Sequence, residues 1–465
     1  MSMKKLSPAQ TLEEAYKALD PEKYLDPAKE EDRRRYVPLF KEEMKEIAAD
    51  LLMNENSTLT ICVTGQSGSG KTSALNFLME ENPRIKEKYS VVSIYFRDEL
   101  DLGDVDITHI LFTIAAHLIR EEDSLRVKFE EKLKEIKASI EGRLDQVVQE
   151  EQNMEANAAA GIKAALNSFF SLFGVDAFLS TRFKVDSSYR EITKKAFVYG
   201  KTDLQEAVNE VIVSYQKKKG KKLLLILNEL DHMKRAEDVE SIFNADFSLL
   251  SDLVCVKVIS VPVVLLSKTW FTPAIFVLLN TYLDANPLDK GDGRSCEVCQ
   301  RNRTCFKEVL KKRVNPALFE KGVVEAALEA SGGVVRQFLH ILHRAVNAAY
   351  SRADGKVEGV KISLGDLAKA KRFVAGILET SVLYLEKIRL LKHIADENVP
   401  ATGDGAEKYL IECILANQIL VHQNGDTWYV INPLIKGIVE KYAEKIEKKE
   451  GKGEKGEKEV GEKKE

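Results

Sequence analysis

What this chain lacks narrows its class before any motif is read. No uncharged apolar run reaches the ~18–20 residues that cross a bilayer, so no transmembrane helix is predicted. The N-terminal stretch MSMKKLSPAQTLEEAYKALD holds no apolar segment fit for a signal peptide. Cysteine is sparse, six residues in 465, too few for the disulfide framework of a secreted domain, so a reducing cytoplasm is expected. A basic excess is missing too. The 69 Lys and Arg stand against 73 Asp and Glu, a formal net charge of −4, so no global positive field draws the chain to nucleic acid.

What is present argues for several packed domains. The apolar fraction is 44%, enough for sizeable cores, and the length exceeds one ordinary domain. Charged residues, mostly Lys and Glu, make up 31%, a composition that leans toward a thermophile. The pattern predicts strands at 59–64, 90–96 and 223–227 and a further one within 253–266, stopped near Pro262. Helical patterns lie between them, over 73–81, 108–155 and 204–216. Strands alternating with helices predict an α/β fold with a mainly parallel sheet. The apolar stretch AAAGIKAALNSFFSLFGVDAFL reads as a helix or hairpin packed on the core, because a membrane-surface helix would carry a basic face.

The expected layout is a lead-in over 1–57 and a core over 58–320 with an insertion at about 100–200 and a Cys-rich loop at 290–306. A helical lid follows at 321–378, then a winged-helix-like unit at 379–443 in the order helix, helix, hairpin, helix, its turn at Asn424-Gly425. Residues 444–465 hold eight Lys, eight Glu and four Gly and read as a disordered or fraying tail.

The sharpest motif is GQSGSGKT, Gly65–Thr72, a match to G-x-x-x-x-G-K-[ST] with a strand before it and a helix after it. Gly65, Gln66, Ser67, Gly68, Ser69 and Gly70 would curl the main chain so that successive N–H groups face phosphates, with Ser73 in the first helical turn. Lys71 would reach the β- and γ-phosphates and Thr72 would ligate magnesium. A chance Gly/Ser turn would not carry both flanks.

The partner strand LLLILNELDHM is unusual. Its first acidic position is Asn228, followed by Glu229 and then Asp231. An amide oxygen accepts a hydrogen bond but brings no charge, while Glu229 keeps a carboxylate for activating water. Magnesium takes most of its ligands from waters, Thr72 and phosphates. The pattern therefore predicts ATP·Mg binding with slow hydrolysis. Ordinary turnover with a tolerated Asn228, and a binding-only site, remain open.

Together these pieces resemble the STAND, KAP-like and archaeal origin-recognition-type AAA+ group of P-loop ATPases. LLLILNELDHM resembles that group's acidic strand, and SGGVVRQFLHILHRAVNAA, Ser331–Ala349, resembles its sensor-2 helix. ALDPEKYL and RYVPLF resemble the lead-in, and the closing WYVINPLIKGIVEKY resembles a winged helix. The resemblance spans roughly residues 18–443. It implies that Arg336 points at the γ-phosphate, and it makes Ser260 the sensor-1 candidate and Arg313 an arginine-finger candidate. The 157 residues between Lys71 and Glu229 exceed a minimal core, hence the insertion.

RSCEVCQRNRTCF places Cys296, Cys299 and Cys305 close together. Zinc wants four soft ligands and three are local; an iron–sulfur cluster, free thiols and a redox disulfide are the other readings. Cys62, Cys255 and Cys413 lie in apolar patterns and read as core. The candidate recognition helix Ala406–Gln418 carries one Lys and two Glu, poor electrostatics for DNA. The expectation is thus a cytoplasmic ATP- and magnesium-dependent regulatory switch, with a protein partner or self-oligomer and no membrane span. A DNA-binding replication or repair ATPase and a non-hydrolysing scaffold are the alternatives.

Overall fold

A computed structural model describes residues 7–22, 24–56, 58–150, 154–172, 181–288, 296–379, 384–400, 406–424 and 426–446. The chain forms two compact units. One, the sheet unit, comprises Glu42–Thr64 and Leu78–Leu278; the other, the loop unit, comprises the chain up to Lys41, Gly65–Phe77 and everything from Leu279.

The sheet unit is built on five parallel strands: β1 (Thr60–Thr64), β2 (Tyr89–Tyr95), β3 (Lys222–Asn228), β4 (Val256–Ser260) and β5 (Ile275–Leu278). Their order is β2-β3-β4-β1-β5. β3 reads KLLLILN because both of its faces are covered; every residue after Lys222 is buried, as expected of a central parallel strand. β4 separates β1 from β3, with Val63 beside Ser260 and Leu227 beside Ile259. Thr64 Oγ1 donates to Val261 O at 2.9 Å, tying the ends of β1 and β4. The strand pattern does not predict β5. It is a four-residue edge strand, partly buried throughout, and follows Pro273.

The insertion is helical. Helices Ile107–Glu121, Arg126–Glu150, Met154–Leu172 and Ser187–Ala196 precede Lys201–Lys219. The apolar stretch around residue 166 belongs to its core: Phe169 is fully buried, its ring 5.4 Å from Phe112 and 5.0 Å from Phe197. The end of that stretch, 173–180, lies outside the described residues.

An ionic knot anchors the insertion to the segment that follows β3. Arg190 reaches Asp104 (3.1 Å) and Asp101 (3.2 Å), Lys194 reaches Asp104 (2.6 Å), and Arg235 bridges Asp104 (3.3 Å) and Asp238 (2.7 Å). Burial raises the Asp104 pKa, but the bonds from Lys194 and Arg190 outweigh it and hold the carboxyl down to about 2.

The loop unit holds the lid helices Val323–Ser331, Val335–Ala353 and Leu364–Glu379. Helices Leu385–Glu397 and Ala406–Leu415 follow, then an antiparallel ribbon of β6 (Ile419–Asn424) and β7 (Asp426–Ile431), then a helix from residue 436. Gly425 of the predicted turn, and the tail from 447, lie outside the described residues.

Candidate functional site

In the loop unit, Gly65–Gly70 leave the end of β1 and enter the helix Lys71–Glu81. Gly68 has φ +84°, and a Cβ there would sit 2.7 Å from Arg336 Cβ. Glycine is required on both counts. The loop is thereby closely packed on the first turn of the lid helix, and Arg336 N donates to Gly68 O at 3.0 Å.

Lys71 is buried, and its Nζ donates to Gly65 O (2.8 Å) and Gln66 O (3.0 Å). Ser69 Oγ is buried without a hydrogen-bond partner among the described residues. A buried hydroxyl in that state costs free energy unless a ligand engages it, which suits a loop that receives phosphate oxygens. The lead-in grips the same helix. Ser73 Oγ accepts from Leu25 N at 3.0 Å, Asn76 Nδ2 donates to Leu25 O at 3.1 Å, and Tyr36 stacks on Phe77 at 3.8 Å.

Sequence reasoning missed what holds the tip of the loop. Gln66 Nε2 donates to Asn417 Oδ1 (2.6 Å) and Ile419 O (3.4 Å), and Gln66 Oε1 accepts from Val421 N (3.3 Å). Asn417 Nδ2 donates to Ser67 O (3.2 Å). Asn432 Nδ2 donates to Asn417 O (2.9 Å) and to Gln337 Oε1 (2.8 Å), next to Arg336 on the lid helix. A partly buried polar ring therefore runs from phosphate loop to ribbon to lid helix and back to Gly68.

In the sheet unit, β3 ends at Asn228 and the chain turns through Glu229, which holds a left-handed φ of +74°. Such a conformation is strained for a non-glycine residue and clusters at functional turns. Both residues are buried. Asn228 Oδ1 and Nδ2 both lack hydrogen-bond partners among the described residues. A wholly buried amide with neither atom satisfied is rare, and it fits a residue that orders a metal-bound water. Ser260, at the end of β4, donates to Asp231 Oδ1 at 2.6 Å, so the sensor-1 candidate joins the acidic turn.

Two expectations need correction. Arg313 is buried, its Nη1 spent on Arg35 O (3.2 Å) and Val309 O (2.9 Å), and burial lowers its pKa to about 10. It pins the lead-in to the end of its own helix and does not stand out as a finger. Zinc is not supported either. Cys296 and Cys299 are joined in a disulfide, while Cys305 is a half-buried free thiol. Among the described residues no group of three His, Cys, Asp or Glu is placed to hold a metal ion. Cys62, Cys255 and Cys413 are buried, and burial pushes each thiol up to about 12.

No protein-family model matches this chain, and no curated protein matches it. Among solved structures it is similar to the Walker-type ATPase paby2304 of Pyrococcus abyssi, at 15% identity and a TM-score of 0.40, over 91% of this chain and 99% of that one. It is also similar to Cdc6p from Pyrobaculum aerophilum, at 12% and 0.39 over 91% and 97%. A third is the Aeropyrum pernix ORC1 protein in complex with DNA, at 11% and 0.39 over 86% and 93%. Among the described residues no helix is long and apolar enough to cross a membrane.

Proposed function

We propose that this chain is an ATP-binding, slowly hydrolysing P-loop ATPase that acts as a regulatory switch. The observation that carries the switch reading is the polar ring joining Gln66 and Ser67 to Asn417, Asn432 and Gln337. A triphosphate on the loop amides would draw Lys71 away from the carbonyls of Gly65 and Gln66, which it now engages. Any resulting change in the loop tip is felt at once by the ribbon and the lid. Arg336, anchored at Gly68, would then answer the γ-phosphate charge. The ribbon and its helices would carry the change to a protein partner or a second copy.

Glu229 is assigned to orient the attacking water. Magnesium, when bound, neutralises phosphate charge; Thr72 and, through a water, Asn228 are its proposed holders. The Asn228 amide, unpartnered among the described residues, fits that role, and its lack of charge is the reason slow turnover is expected.

Calorimetry of MgATP uptake, paired with phosphate release and solution mass with and without ATP, tests the reading. Uptake with slow release and a nucleotide-dependent mass or shape is expected. No uptake of ATP or GTP overturns it. Phosphate release stimulated by duplex DNA with steep salt dependence would replace it with a DNA-directed ATPase.

A further inference from the structure

The Cys296–Cys299 disulfide occupies a place the nucleotide reading does not use. Cys296 caps the helix Glu297–Lys311, and its Sγ accepts the Cys299 N–H at 3.1 Å. Cys299 is buried with Tyr282 and Trp428, with Cys296, Val298 and Val430 at the margin. Cys296 is only partly covered. The two sulfurs therefore differ: one is open to attack and the other is packed on an aromatic pair.

We propose that Cys296–Cys299 is a redox-active pair, reduced by a dithiol, whose state tunes the grip of the ribbon on the phosphate loop. A thiolate of the reductant attacks Cys296 Sγ, and Cys299 Sγ leaves and takes up a proton. The second thiolate of the reductant then displaces Cys296 from the mixed disulfide. Two electrons pass to the chain with one proton on Cys299, Cys296 is released as a thiolate that takes up a second proton only below its own pKa, and the reductant closes its own disulfide. The Cys299 amide and the amide ends of a 15-residue helix stabilise the Cys296 thiolate, which keeps exchange reversible near neutral pH.

The path to the loop is short and lies within one unit. Cys299 packs on Trp428 of β7, and Tyr282 lies 5.3 Å from Trp428. Trp428 pairs with His422 of β6, and the next residue, Val421, donates its N–H to Gln66. Closing the disulfide fixes the turn on which Trp428 rests and so favours the ribbon in the position that holds Gln66. Reduction loosens that support. This coupling rests on the proposed switch; the redox chemistry does not.

The test uses the full chain carrying Trp270→Phe, which leaves Trp428 as the sole tryptophan of the two. Dithiothreitol buffers of graded oxidation are read by Trp428 emission and by alkylation after denaturation. A reversible two-electron transition is expected, with four alkylated cysteines in the oxidised form and six in the reduced. Cys296→Ser should abolish it. MgATP should bind about fivefold more tightly to the reduced protein. Six free thiols in the oxidising buffers, zinc bound by the thiols, or a transition surviving Cys296→Ser overturns the redox pair. Equal ATP affinity in both states overturns the coupling. Absence of ATP uptake in both states overturns the nucleotide reading instead, and the emission titration still decides the pair.

Discussion

The phosphate loop and the acidic turn after β3 differ in how their central side chains are engaged, although Ser69 Oγ of the loop is unpartnered among the described residues and Asp231 of the turn is bonded to Ser260. In the loop the chain already engages Lys71 on two carbonyls, Gln66 on Asn417 and two ribbon groups, and Gly68 O on the lid. At the turn, Asn228 is buried with both amide atoms unpartnered among the described residues. A ligand at the loop must compete with bonds the protein makes to itself, so part of its binding energy goes into rearrangement. A ligand at the turn satisfies atoms that otherwise cost free energy. The first arrangement suits a switch, and the second suits a site that orders water.

The largest expected effect separates the two by function. Glu229→Gln should lower ATP turnover about 100-fold or more, the usual contribution of a positioned general base, and change MgATP affinity by less than about threefold. Lys71→Ala should do the reverse and weaken MgATP binding by about 100-fold. Calorimetry and phosphate release on both variants read the contrast. Loss of binding in Glu229→Gln would merge the two roles and undo the comparison.

Each unit also carries one buried histidine held neutral. Burial lowers the pKa of His422, which sits 2.9 Å from Asn280 Oδ1, to about 4, and that of His109 likewise to about 4. Both values lie below the ordinary 6.5, so the unfolded chain binds the proton first. Stability is therefore lost as pH falls from 6.5 toward 4, by about 2–3 kcal/mol per histidine at pH 4.5. Urea midpoints at pH 7 and 4.5 should show a smaller drop for His422→Gln than for the parent. An equal drop would mean that His422 is not buried neutral.

Asn228→Asp restores the missing charge and should raise turnover by about three- to tenfold, because a carboxylate orders the metal-bound water more strongly than an amide. Phosphate release at saturating MgATP is the measurement. Unchanged or slower turnover would assign the slow step elsewhere.

Much of this was readable from sequence where the signal is local. The loop, β1 to β4 and the lid helices follow from glycine spacing and apolar runs. Lys257 did not spoil the β4 reading, because its Nζ caps Leu253 O (2.6 Å) and Cys255 O (2.8 Å), which lets a buried lysine sit in an apolar strand with its pKa lowered by burial to about 8. What stayed hidden is long-range or geometric. Gln66 and Asn417 are 351 residues apart, so no window contains both. The left-handed turn at Glu229 has no residue signature, since glutamate is not a residue that favours it. The cysteine spacing fits a metal knuckle and a disulfide equally well; which one forms depends on how the thiols meet in space.

The smallest expected effect tests the loop side of the comparison most directly. Asn417 has φ +56°, a conformation glycine adopts without strain, so Asn417→Gly removes the side chain and leaves the backbone free to keep its path. The bonds to Gln66 Nε2 and Ser67 O are lost, while Gln66 keeps its weaker link to Ile419 O. If those bonds compete with the triphosphate, their removal should tighten MgATP binding by about fivefold, roughly 1 kcal/mol, the net worth of a typical hydrogen bond. Global stability should fall by a similar amount, partly because glycine loosens the unfolded chain. Gln66→Ala should give the same sign of change in affinity, although it alters a different chain segment. Weaker binding in both variants would mean that the ribbon holds the loop ready for ATP. The self-engaged loop would then be pre-organised for its ligand, and the competition drawn from its contrast with the waiting turn would be wrong in sign.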